Sequence, residues 1–154
     1  MTVVVLPTRL RHADRRVSSI VEYFEQLTLG SLEQLDTVYA PHACFKDPFN
    51  EVQGLDAIRR IYAHMFASLQ APRFVVHEVA LDGHACWLSW HFIFHSPRLG
   101  PGEQCIRGAT LLRLGEDGRI LLHRDYWDAA EELYEKLPLL GALMRWLKRR
   151  LATG

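Results

Sequence analysis

Two Asp-Gly pairs, Asp82-Gly83 and Asp117-Gly118, constrain this chain more than any other feature. Asp-Gly between apolar runs signals a tight hairpin, because such turns need positive φ and glycine adopts it freely. The first pair separates residues 73 to 82, which alternate loosely, from His84 to His95, rich in Trp, Phe and Ile. The second separates Glu103 to Leu114 from Arg119 to Trp127. Pro97, Gly100, Pro101 and Gly102 make the loop between the two hairpins. The pattern predicts a four-strand antiparallel meander, which needs helices on at least one face.

The residues before the meander supply them. Val17, Ile20, Val21, Phe24 and Leu27 recur at helical spacing over residues 14 to 29, and Gly30 is placed to end that helix. Ser31 with Gln34 reads as a capping box for a short helix, Leu32 to Tyr39, which Pro41 stops. Residues 43 to 47 read as a short extended piece. Gly54 and Asp56 open a third helix to about Leu69, with Ile58, Ile61, Tyr62, Met65 and Leu69 on one stripe. Asp128 to Leu151 is helical again, divided at Pro138. Helices followed by a run of strands define an α+β fold. A curled sheet with helices on its concave face encloses a cone, and a cone lined by apolar side chains is a ligand pocket.

Composition narrows the function. A chain of 154 residues that is 49% hydrophobic suits one core. Its 18 basic and 18 acidic side chains give no net charge to attract nucleic acid. The three cysteines, Cys44, Cys86 and Cys105, form no CxxC pair, so a reduced, cytoplasmic protein is expected. Residues 1 to 6 are apolar but precede Arg9, Arg11, Arg15 and Arg16, the reverse of a secretory leader. No run approaches the ~18 apolar residues of a membrane span. The eight histidines form no HxH, HExxH or Cys/His cluster, so neither metal nor cofactor is expected. The division expected is an arm at 1–13, a domain at 14–130 and a helical extension at 131–154.

Asp47 leaves an extended segment just before Pro48, with Tyr23, Tyr39 and Tyr62 on neighbouring helical segments. A carboxylate and phenols facing one apolar cavity can move a proton beside a carbonyl. With this order of elements the chain resembles the nuclear transport factor 2-like superfamily over roughly residues 15 to 130. Within it the nearest patterns are bacterial ketosteroid isomerase and SnoaL-like polyketide cyclases. Asp47-Pro48-Phe49 followed by Gly54, Tyr23 before Gly30, and the closing Tyr126-Trp127 carry the resemblance. It implies a cone-shaped α+β barrel, with helices packed on a curved antiparallel sheet and an extra C-terminal helix. It implies Asp47 as base, Tyr23 as donor to an enolate oxygen, and Tyr39 and Tyr62 as supports. Thr110 stands where the isomerase has a second, acidic donor, and a hydroxyl is the weaker donor.

On the last strand His123, Asp125 and Trp127 alternate onto one face. The cyclases resemble that pattern, and it makes Asp125 a second candidate base. An epoxide-hydrolase-like set is a further reading, but Cys105 and Ala109 flank Arg107 where acids are required. His84 to His95 is apolar on both faces. Counting from Gly83 puts Trp87, Ser89, His91 and Ile93 inside. Leu88, Trp90, Phe92 and Phe94 then form an outer face suited to a homodimer. The basic, amphipathic tail 138–151 is expected to dock on the body, a partner or a membrane surface. The functional expectation is a pocket for a small apolar carbonyl compound. It either catalyses isomerisation or aldol cyclisation, or binds without turnover.

Overall fold

The computed structural model describes residues 13–136 and 138–152. The expected arm, 1–13, lies outside the described residues except Ala13. The order of elements is α1 (Arg15–Glu25), a 3-10 segment (Gly30–Thr37), β1 (Tyr39–Lys46), β2 (Glu51–Gln53), α2 (Leu55–Ser68), β3 (Gln70–Asp82), β4 (Ala85–His95), β5 (Glu103–Leu114), β6 (Ile120–Tyr126), α3 (Ala129–Glu132), a 3-10 turn (Tyr134–Lys136) and α4 (Pro138–Leu151). The α+β class and the extra C-terminal helix hold.

The sheet is larger than a four-strand meander. Among the described residues six strands run in the order β2-β1-β6-β5-β4-β3, and β1 lies parallel to β6. The segment expected as a short helix ending at Tyr39 is the 3-10 segment, and Tyr39 begins β1. Pro41 sits inside β1, where the β1–β6 register shifts between Tyr39 and Cys44. A bulge tolerates a residue without an N–H. The helix expected over 14–29 ends at Glu25 because Thr28 and Ser31 bond each other. Thr28 N donates to Ser31 Oγ (2.9 Å), and Ser31 N donates to Thr28 Oγ1 (3.2 Å). Ser31 thereby closes a loop instead of opening a capping box.

Helix α1 buries Val17, Ile20, Val21 and Phe24, and α2 buries Ile58 and Tyr62. Both helices lie on the concave face of the sheet, where Leu88, Trp90 and Phe94 of β4 join the same buried cluster. This reverses the expected faces of β4. The ladder links Leu88 to Thr110 and Thr110 to Asp125, so these three share one face. Leu88, Trp90, Phe92 and Phe94 therefore point inward, and Trp87, Ser89, His91 and Ile93 point outward. A one-position error in hairpin counting exchanges every side chain between faces.

Candidate active site

Between α2, the inner sheet face and the end of α3 lies a cavity of about 330 Å³. Phe45, Ile61, Met65, Leu69, Phe74, Trp90, Phe92, Phe94, Ile106 and Leu133 supply its apolar wall, and Asp47, Tyr62, His64 and Asp125 are among its polar groups. At the rim, Phe49 and Trp127 meet edge to face, with ring centroids 5.5 Å apart. A smaller chamber of about 40 Å³ lies deeper, lined by Phe24, Leu88, Thr110 and His123 among others. The two share Tyr62, Phe74, Trp90 and Asp125.

Asp125 is the centre of the polar groups. Its Oδ1 accepts from Thr110 Oγ1 (2.5 Å) and His123 Nε2 (2.8 Å). Thr110 in turn accepts from Trp90 Nε1 (2.7 Å). His123 Nδ1 meets Tyr39 OH at 2.7 Å, and Tyr39 OH meets Tyr62 OH at 3.0 Å. Burial holds both phenols well above their ordinary pKa, so both keep their protons. The direction of each bond follows from a carboxylate acting as acceptor at the end of the chain. The carboxylate has no proton, so His123 donates from Nε2; its Nδ1 then accepts from Tyr39, and Tyr39 accepts from Tyr62. Among the described residues no hydrogen bond reaches Asp125 Oδ2. The side chain is 17% exposed, against 6% for His123. One oxygen is held by two donors, and the other has no hydrogen-bond partner among the described residues.

Trp90 reaches Thr110 because its cross-strand partner is Gly108. A Cβ on Gly108 would stand 2.4 Å from Trp90 Cη2 and 2.5 Å from Cζ2. The indole therefore lies across β5 where a side chain would otherwise stand, and its N–H falls beside the threonine two residues on.

Of the residues expected from sequence, Asp47, Tyr62, Asp125 and Trp127 line the main cavity, and Thr110 and His123 line the inner chamber. Tyr39, with no exposed surface, stands behind them as a support. The Asp47 carboxylate closes the rim turn. Its Oδ1 accepts from the backbone N–H groups of Phe49 (2.7 Å) and Asn50 (2.6 Å), and Oδ2 accepts from Asn50 Nδ2 (3.0 Å). Thr110 is not a free donor, because Asp125 takes its single proton.

Two of the expected residues stand away from both chambers. Tyr23 donates to the Ser31 carbonyl (2.9 Å) and lines neither chamber, because the 3-10 segment folds back over its hydroxyl. His91 lies on the outer face, packed on His77 with ring centroids 4.1 Å apart. Sequence reasoning missed Phe74, Trp90, Phe92 and Phe94 as cavity wall. Pairing outward from Asp125 through Thr110 to Leu88 was the signal that placed them.

The sequence matches the SnoaL-like domain family over residues 20–123, most of the chain. No curated protein matches it. Among solved structures, a hypothetical protein of ketosteroid isomerase-like fold from Catenulispora acidiphila, in complex with trimethylamine, superposes with TM-score 0.68. It is 18% identical, over 82% of this chain and 96% of its own. An epoxide hydrolase of the LEH-like type from M. tuberculosis gives 0.62 at 17% identity, over 86% and 93%. A candidate SnoaL-like polyketide cyclase from Shewanella putrefaciens gives 0.65 at 18%, over 79% and 98%. The protein belongs to the SnoaL-like domain family, within the nuclear transport factor 2-like fold.

Proposed function

We propose that the cavity takes a small apolar compound bearing a carbonyl, and that Asp125 moves a proton beside that carbonyl. The observation that carries this reading is the asymmetry of Asp125. Oδ1 is fixed by Thr110 and His123, Oδ2 accepts no hydrogen bond among the described residues, and Asp125 lines an apolar cavity. Oδ2 takes the proton as the α C–H bond breaks, and the electron pair passes to the carbonyl oxygen. Tyr62, protonated and lining the same cavity, turns its O–H from Tyr39 to that oxygen. The proton then returns to a different carbon, giving isomerisation; or the enolate carbon attacks a second carbonyl, whose oxygen takes the π pair and then the proton from Asp125, giving aldol cyclisation. Asp47, with both oxygens engaged by the rim turn, is read as holding the mouth open. A cavity of about 330 Å³ is at the small end of ligand pockets, which run about 300–1,000 Å³.

The test is α-proton exchange of a bound ketone in deuterated buffer. Asp125→Asn should slow it by about 10²–10⁴-fold, the usual contribution of a positioned base, while Asp47→Asn retains most of it. Full exchange in Asp125→Asn would overturn the assignment. Ligand binding without exchange in wild type would leave a binding protein.

A homodimer through the outer sheet face is also proposed, but without Leu88, Trp90, Phe92 and Phe94, which point inward. Trp87 and Tyr126 lie there, 43% and 42% exposed, with ring centroids 5.7 Å apart. Sedimentation as a monomer at micromolar concentration would rule it out.

A further inference from the structure

We propose that α4 is an interfacial helix that lies on an anionic lipid bilayer. Residues 138–154 contain four basic side chains, Arg145, Lys148, Arg149 and Arg150, and no acidic one. The structure settles which way the helix faces. Gly141 is buried, and Lys148 Nζ pairs with Glu131 Oε2 of α3 at 3.3 Å, so this side meets the body. Leu143 lies about 140–160° round the helix from those two positions at 3.6 residues per turn. Leu143, Trp146, Leu147 and Leu151 are 49%, 46%, 36% and 81% exposed. Only part of the tail's apolar surface has docked: Leu140 and Met144 are half-buried beside Gly141, while Leu143, Trp146, Leu147 and Leu151 stay exposed.

The chemistry of the exposed side fits a lipid surface. Trp favours the headgroup boundary, and Leu side chains enter the acyl region below it. Arg150 falls within the apolar stripe but folds its guanidinium over the Trp146 ring, 5.1 Å from the centroid. That geometry holds the charge beside the ring's face while the stem covers apolar surface, as long basic side chains do at interfaces. A second copy on this stripe would meet Arg150 with no carboxylate on its own α4 to pair with it. No helix among the described residues is long and apolar enough to cross a membrane, so α4 lies on the surface.

The contact is independent of the reaction assigned to Asp125, but it bears on supply. Leu133, in the cavity wall, directly precedes the 3-10 turn on which α4 packs. A bilayer under α4 therefore holds the cavity close to dissolved apolar compounds.

Flotation of the full chain with vesicles tests the proposal. Protein should float with phosphatidylcholine and phosphatidylglycerol in about a 7:3 ratio, and fail to float with phosphatidylcholine alone. Raising salt should release it. Leu147→Glu should abolish flotation, with Leu143→Glu as the second variant, both keeping the wild-type far-UV spectrum. Arg149→Gln should weaken partition about fivefold, the effect of one basic residue near an anionic surface. Three results would overturn it: no flotation with the mixed vesicles, flotation unchanged in both Glu variants, or a wild-type dimer that Leu147→Glu converts to monomer. The last would assign the stripe to a second copy.

Discussion

Gly108→Ala tests the link between backbone and site. The added Cβ would meet Trp90 Cη2 at 2.4 Å, Cζ2 at 2.5 Å and Cζ3 at 3.0 Å. Carbon atoms in good contact stand about 3.5–4.0 Å apart, so the indole must retreat by about 1 Å or more. Trp90 is buried and packs edge to face on Phe74, with centroids 5.8 Å apart. Its retreat breaks the bond from Nε1 to Thr110 and pushes the ring toward the cavity. Overpacking costs about 1–3 kcal/mol and the lost hydrogen bond about 1. Replacing a strand glycine returns about 0.5–1. The expected net loss is about 1–3 kcal/mol, or a Tm lower by roughly 2–10 °C at this chain length. Urea unfolding measures it, and ligand affinity should fall in parallel as the cavity shrinks. Because the colliding atoms belong to the six-membered ring, Trp90→Phe removes the collision. Gly108→Ala on that background should cost less than on wild type, a coupling that a double-mutant cycle reads directly. Wild-type stability in Gly108→Ala, or strict additivity with Trp90→Phe, would refute the reasoning.

Two further outcomes are expected. Tyr39→Phe removes a fully buried hydroxyl and strands both Tyr62 OH and His123 Nδ1; it should cost about 1–3 kcal/mol in denaturant unfolding, whereas a neutral effect would mean the chain of bonds is unimportant. Burial first, then the neighbouring His77 and Arg107, lowers the His91 pKa, with Glu132 opposing. The unfolded chain therefore binds that proton first as pH falls. The associated stability is full above about pH 6.5 and is lost as pH drops from there through the lowered native value. His91→Gln should flatten the wild-type fall in stability between neutral and mildly acidic pH; an unchanged slope would contradict this.

Periodicity and turn chemistry made most of the elements legible. Positive φ at Gly83 and Gly118, 60° and 81°, is what the two Asp-Gly pairs required, and β3 to β6 follow within a few residues of their expected limits. The apolar stripes of α1 and α2 were equally plain, because a helix advertises its buried face in its own spacing. Pro138 divided the tail as expected, and the last strand's alternation put His123, Asp125 and Trp127 on one side.

Long-range pairing was not legible. Nothing local says that Tyr39–Lys46 joins the sheet parallel to β6, because a parallel partner shares no turn with it. The inward face of β4 was hidden because both of its faces are apolar, so only the ladder through Thr110 and Asp125 could decide it. The fates of the single polar groups were hidden too. Tyr23 and Tyr62 look alike in sequence, yet one donates to a local carbonyl and the other lines the cavity. Asp47 and Asp125 both precede aromatic residues by two positions, yet both oxygens of one are occupied by its own turn, while Oδ2 of the other accepts no hydrogen bond among the described residues. Hydrogen-bond partners brought together from distant segments made those distinctions. By itself the sequence determined the class of fold, the order of its elements and which residues could do chemistry. Tertiary structure alone decided which of them meet, because the competition for each buried donor and acceptor is settled only when the helices close over the sheet.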